Sequence, residues 1–311
     1  MNFLYKIYFY LPNFSALGIP GKIVNRVLAL CLKGVLDFIV PSYFRRTASK
    51  QGSGLNNRTR SEIYIASLTS FPARINDIWI TIETLLRQSI KPDQLILWLA
   101  EDQFPDKVLP DSLTRLQDRG LTISFCDDLR SHKKYYYSMI EFPTANIITF
   151  DDDLYFHKDV IKNLIQMHEQ YPGLVVTNRA HKMSFNEGAI NPYRKWQHEV
   201  NDSLPSHLLV ATGGAGTLYP PGSLSTEAFN KDLIKRLCFH ADDLWLKIME
   251  LKNGKMVCTN SSYNKSFVSV KNSQDEKLVL INVKQGGNDD QLNNLINYFG
   301  KDLIKSLSYR I

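Results

Sequence analysis

NIITFDDDLYF, residues 146–156, sets the reading of the chain: an apolar β-type run stops abruptly at three consecutive carboxylates, and a helical pattern starts soon after. Three like charges at a strand end repel one another unless a cation or strong donors neutralise them. If the backbone stays extended, alternate side chains share a side and Asp151 and Asp153 point together. A hard divalent ion, Mn²⁺ or Mg²⁺, suits a pair of carboxylates completed by phosphate oxygens and water. The bland alternative is a solvated acidic turn.

Working outward, residues 61–150 alternate short apolar runs with helical periodicity. IYIASL (63–68), QLILWLA (94–100), LTISFC (121–126) and NIITF (146–150) read as strands. Between them, Ile75, Ile78, Trp79, Ile82, Leu85 and Leu86 mark one apolar helix face; 111–119, closed by Gly120, and 132–141 read as further helices. This alternation predicts an α/β fold with a mostly parallel, doubly wound sheet, in which ligands bind beyond the carboxyl ends of the strands. Beyond about residue 178 the pattern degrades into longer irregular stretches, a half suited to a second substrate.

The motifs SLTSFPARI (67–75), FDDDLYF (150–156) and HADDLW (240–245) resemble those of GT-A-fold glycosyltransferases of the bacterial surface-polysaccharide and lipopolysaccharide type, related to the inverting family 2. The resemblance covers about residues 61–300. It implies a GT-A architecture, a nucleotide-sugar donor of the UDP or GDP type, and Mn²⁺ or Mg²⁺ as cofactor. In it, FDDDLYF is the DxD motif, with Asp151 and Asp153 toward the metal and Asp152 at the donor. The loop Thr69–Arg74, with Ser70, would meet the donor's base and ribose. Asp102 of AEDQF is a looser candidate for the base edge. Lys133 and Lys134 of SHKKYYYS would lie near the diphosphate, where a cation offsets charge on the leaving group; otherwise they begin a solvated helix. ATGGAGTLYPPG (211–222) would line the sugar pocket with Gly213 and Gly214, unless it is a plain turn. Of Asp242 and Asp243, the second is the favoured catalytic base, and helix capping is the alternative. His181 and His240 are weaker candidates for a further metal ligand. Gly286–Asp290 is a candidate lid, with helix capping the simpler account.

The net charge of +6 is confined to the N-terminal arm. Residues 1–60 hold nine Lys/Arg and the single acid Asp37, and the remainder carries −2. A nucleic-acid groove in the main domain is therefore excluded. The chain divides into an arm and linker (1–60) and a catalytic domain (61–311), itself split into a nucleotide half (61–178) and an acceptor half (179–311). On a helical projection of 22–40, Lys22, Arg26, Lys33 and Asp37 fall within roughly 60° of one another at about 100° per residue. Apolar residues cover most of the rest. Such a helix suits a membrane interface, is too short for a span, and is followed by a basic linker rich in Ser, Gly and Asn. The aromatics of 1–14 would add to the anchor. Together these features predict a peripheral protein at the cytoplasmic face of the inner membrane, docked through residues 1–40, acting on a glycan or lipid-linked acceptor. The four scattered cysteines suggest buried free thiols. Two rival readings are an Asp-dependent phosphotransferase or phosphatase and a non-catalytic, membrane-docked sugar-nucleotide-binding protein.

Overall fold

The structure, a computed structural model, describes residues 14, 17–200, 204–259, 268–270, 287–300 and 303. The aromatic run at 1–13 and Gly286 of the candidate lid lie outside the described residues.

Seven strands form one sheet: β1 (Tyr64–Thr69), β2 (Gln94–Ala100), β3 (Leu121–Cys126), β4 (Asn146–Phe150), β5 (Val175–Thr177), β6 (Thr217–Tyr219) and β7 (Val257–Thr259). Their order is β7-β5-β6-β4-β1-β2-β3. All neighbouring pairs are parallel except the two made by β6, which runs antiparallel to β4 and β5. This is the mostly parallel, Rossmann-like α/β arrangement that the alternation predicts, and the strands at 94–100, 121–126 and 146–150 form at the expected residues.

The pleat sorts the strand residues between two cores. Ala66, Leu68, Leu95, Leu97 and Ile148 pack with helices α1 (Gly18–Thr47), α2 (Ile78–Leu85) and α4 (Val160–Gln170). Ile65, Ile96, Trp98 and Ile147 face the other way, toward α3 (Lys133–Glu141). Helices α5 (Lys231–Leu237), α6 (Asp242–Lys252) and α7 (Gly287–Phe299) complete the second half. The helix expected at 111–119 is a short turn, Asp111–Thr114, followed by a 3₁₀ turn that ends at Gly120 with φ of 108°. A left-handed residue there stops the helix, as glycine permits.

The arm departs from its sequence reading in three ways. First, the helix runs through Pro41 to Thr47 instead of ending before the proline. The ring removes one backbone bond, but Leu36, Val40 and Phe44 continue one buried stripe on the core across that point. Packing of an apolar face decides helix extent more than propensity does. Second, the stretch read as a linker is fastened to the domain: Gly54 N donates to Arg119 O, Asn56 N to Pro92 O, and Arg60 pairs with Asp93. Third, the polar stripe at Lys33 and Asp37 turns partly inward, while Ile23, Val24, Val27, Leu30, Val35, Phe38 and Ile39 are exposed. Among the described residues no helix is long and apolar enough to cross a membrane. Three cysteines are buried as expected, and Cys31, on α1, is exposed.

Phe44 is 0 % exposed and Phe38 is 78 % exposed on the same helix. Phe44→Ala is therefore expected to cost about 3–5 kcal/mol in denaturant unfolding of the full chain. Phe38→Ser should stay within about 0.5 kcal/mol. Equal effects would contradict the docked orientation of α1.

Candidate active site

Every parallel strand delivers polar residues to one edge of the sheet, because parallel strands share a carboxyl end. Thr69 closes β1 and donates to Trp98 O at 2.8 Å. Ser70 and Arg74 follow it, Asp102 follows β2, Lys133 and Lys134 open α3 after β3, and Asp151–Asp153 follow β4. Antiparallel β6 begins at this same edge, so the preceding Gly213–Gly216 loop lies against β4: Asp151 N donates to Gly214 O at 3.3 Å.

Lys134 joins the two acidic motifs. Its Nζ lies 2.8 Å from Asp151 and 2.9 Å from Asp242, and the side chain is buried. Burial alone would disfavour its charge, but Asp151, Asp242 and Asp243 raise its pKa well above the usual lysine value. Asp242 is buried too, and the Lys134 ammonium outweighs that burial and holds its carboxyl below the ordinary range. Asp243 differs. Its side chain is half-buried, its Oδ1 accepts from Gly213 N at 2.9 Å, and loss of solvent around the carboxylate, with the neighbouring Asp242, pushes its pKa up to about 7.

The three DxD carboxylates are also distinct. Asp152 turns inward, accepting from Ser70 Oγ at 2.5 Å and Arg74 at 2.6 Å, while its carbonyl accepts from Thr81 Oγ1 at 3.0 Å. Ser70 and Arg74 thus hold Asp152. Asp153 lies 3.3 Å from Arg74, and burial, with the charge of Asp151, pushes its pKa up to about 7. Asp151 is the most open of the three, with 41 % of its side chain exposed.

Lys133 parts company with Lys134. It turns to Asp128 at 2.6 Å, a carboxylate that also accepts from Gln103. Asp102 is exposed and joins none of these bonds. Gly213 and Gly214 approach side chains closely: a Cβ on Gly214 would stand 1.8 Å from Asp151 Oδ2, and one on Gly213 would stand 3.2 Å from Asp243 Oδ1. Their smallness admits the two carboxylates. His181 is drawn into a ring cluster with His198 (4.4 Å) and Tyr193 (5.9 Å), and accepts from Glu199 N. Burial lowers its pKa to about 4. His240 packs on Phe239. Neither histidine has a bond to the DxD carboxylates among the described contacts.

Arg179 is a site residue that sequence reasoning misses. Two residues beyond β5, it donates to Thr212 Oγ1 at 2.7 Å, beside Gly213, and its charge acts on Asp153. The rule that chemistry follows strand ends applies equally to VVTNR (175–179) and would have found it.

Whether these residues suit a divalent ion is a question of charge and donor type. Asp151, Asp152, Asp153, Asp242 and Asp243 face Lys134, Arg74 and Arg179, which leaves two negative charges uncompensated when all ionise. The upward shift of Asp153, caused first by burial and then by the charge of Asp151, runs in the same direction. No three His, Cys, Asp or Glu side chains among the described residues form a ready ligand set. Asp151 and Asp153 fit an ion that takes its remaining ligands from phosphate and water, the habit of Mg²⁺ and Mn²⁺.

No known protein family matches the chain by sequence, and no curated protein does. Among solved structures, the chain is similar to a mannosyltransferase from Pyrobaculum calidifontis in complex with GDP-Man and Mn²⁺, at 12 % identity and a TM-score of 0.43 over 81 % of this chain and 70 % of that one. It is also similar to 4-diphosphocytidyl-2C-methyl-D-erythritol synthase, at 12 % identity and a TM-score of 0.38 over 71 % of this chain and 98 % of that one. At these scores the likeness carries no argument about chemistry, which rests on the site itself.

Because the folded Asp243 keeps its proton up to about pH 7, while a free aspartate loses it near 4, the native state binds more protons between those values. Stability contributed by this residue therefore falls as pH rises from about 4 to about 7. Asp243→Asn removes that loss, so its Tm advantage over the parent should grow by a few degrees, in order of magnitude, from pH 5 to pH 8. A constant difference across that range would refute the raised pKa.

Proposed function

We propose that this chain is a metal-dependent glycosyltransferase that moves a sugar from a UDP- or GDP-type donor to a glycan or lipid-linked acceptor with inversion. The observation that carries the reading is the single buried Lys134 bridging Asp151 and Asp242, which sets a metal-suited carboxylate group beside a proton-accepting one. Asp151 and Asp153 would hold the divalent ion, whose charge would neutralise the donor's diphosphate.

The chain's own residues supply the rest. Lys134 offers a fixed positive charge where the leaving diphosphate gains negative charge. Asp152, held by Ser70 and Arg74, keeps the turn rigid. Asp243, accessible and with a pKa near neutrality, suits the general base, whereas Asp242 is committed to Lys134. The acceptor oxygen forms a bond to the anomeric carbon as the bond to the diphosphate oxygen breaks, and the acceptor proton passes to Asp243. The rings of Tyr193, His181 and His198, next to the Ala180–Lys182 and Leu209–Ala211 ribbon that leads into Gly213 and backed by buried Trp196, favour a sugar acceptor. Asp102 remains a proposed contact to the donor's base, and Lys133, paired with Asp128, a proposed contact near the diphosphate.

The same reading treats residues 61–178 as the nucleotide half and 179–311 as the acceptor half. It places the protein peripherally on the cytoplasmic face of the inner membrane. The exposed apolar residues of α1 lie beside exposed Lys22, Arg26, Arg45, Arg46 and Lys50, a combination that matches an anionic bilayer.

Incubation with a panel of nucleotide sugars should release nucleoside diphosphate only with Mn²⁺ or Mg²⁺. Asp153→Ala and Lys134→Met are each expected to lower the rate by about 10²–10³-fold, and Asp243→Asn to lower transfer by about 10²–10⁴-fold. Inorganic phosphate from simple phosphoesters, with no diphosphate from any nucleotide sugar, would overturn the assignment in favour of a phosphatase.

Vesicles rich in phosphatidylglycerol should sediment the full chain, and the Val35→Ser/Phe38→Ser variant should stay largely in the supernatant. Equal sedimentation of both would remove α1 as the membrane contact.

A further inference from the structure

Helix α1 reaches the short strand that follows the DxD turn. Asp37, the only acid among residues 1–60, has 7 % of its side chain exposed and accepts a hydrogen bond from Tyr155 Oη at 3.3 Å. Tyr155 is 4 % exposed and lies two residues past Asp153. Its segment, Leu154–Tyr155, pairs antiparallel with Val268–Ser269, and Val270 N donates to Asp153 O at 2.7 Å. The turn that carries the carboxylates is thus bordered on one side by a buried polar contact from the arm.

A second connection passes through α2. Arg87, just beyond that helix, donates to Thr47 Oγ1 at 2.9 Å and to Phe44 O at 3.4 Å, with its guanidinium 4.6 Å above the Phe44 ring. Within α2, Thr81 Oγ1 donates to Asp152 O and Thr84 Oγ1 accepts from Phe156 N at 3.2 Å. One helix therefore grips the residues after Asp153 directly and the backbone around Asp152 through its neighbour.

A helix that only needed to adhere to the core would be served by Leu36, Val40 and Phe44. Burying a carboxylate among them is costly unless it is paired; Lys33 Nζ, 3.9 Å from Asp37, balances its charge, and what the Tyr155 hydroxyl adds is direction, because a hydrogen bond fixes where the Tyr155 ring and its strand sit, which apolar contact does not. We infer that Asp37 and Tyr155 are positioning residues for the DxD turn, coupling the bilayer-facing helix to the carboxylates that would hold the metal. This rests on the proposed function for what those carboxylates bind, while the coupling itself is a property of the fold.

The test uses the full chain. Tyr155→Phe removes only the hydroxyl, Asp37→Leu removes the acceptor, and Asp37→Asn keeps an acceptor oxygen. Two readouts apply: amide hydrogen exchange of the peptide spanning 150–156, measured without metal or donor, and the affinity for Mn²⁺ alone by electron paramagnetic resonance. Tyr155→Phe and Asp37→Leu are each expected to speed exchange and weaken Mn²⁺ binding by about five-fold, the scale of one hydrogen bond. The double variant should be no worse than either single one, Asp37→Asn should restore most of the loss, and Phe38→Ser should change neither readout. Wild-type exchange and affinity in both variants, or simple additivity in the double variant, would overturn the coupling. If Asp37→Leu fails to fold, Tyr155→Phe decides alone. Faster exchange in the variants with no diphosphate release by the parent from any nucleotide sugar would sink the transferase reading and leave the coupling standing.

Discussion

Lys134 holds together carboxylates from two distant parts of the chain. Asp151 follows β4 and Asp242 opens α6, 91 positions later, yet both lie within 3 Å of one buried ammonium. Without that cation their charges would drive the two motifs apart, and removing one partner of a buried pair typically costs about 3–5 kcal/mol. Its placement also divides neighbouring acids into two roles. Asp242, beside the ammonium, stays ionised, while Asp243, buried around its carboxylate and next to Asp242, keeps its proton up to about neutrality although Gly213 N donates to it. Two adjacent side chains of one type thus have different acidity because one is paired with the cation.

The sheet topology makes this meeting possible. A run of parallel strands would supply polar residues from strand ends only, but β6 enters in reverse, bringing the glycine loop that precedes it to the end of β4. Gly214 can lie against Asp151, and Gly213 can offer its N–H to Asp243, because neither projects a side chain into the space. The two glycines thereby make room for the carboxylates at this edge of the sheet.

The arm extends the same principle. Its outer face carries apolar and basic side chains, and its inner face packs on the core and includes one carboxylate on Tyr155. The fastening of residues 54–60 to Arg119, Pro92 and Asp93 follows from polar side chains and free backbone groups that composition alone counts as linker.

Much of this was legible in the linear order of residues. Strand–helix alternation gave the α/β class, because apolar periodicity directly reflects which face is buried, and the abrupt stop at Asp151 marked the sheet edge. Asp242 and Asp243 stood out as an acidic pair opening a helix. What the sequence could not decide was which side chain meets which. Lys133 and Lys134 are adjacent and alike, but the helical turn sends one to Asp128 and the other to Asp151. Ser70 and Arg74, expected at a nucleotide, hold Asp152. Arg179 follows a strand end in the sequence, but its contact with Thr212 depends on the pairing of β5 with β6. Local periodicity depends on neighbours a few residues apart and can be read from order. Charge pairing depends on distances between segments tens of residues apart, and only the folded chain sets those.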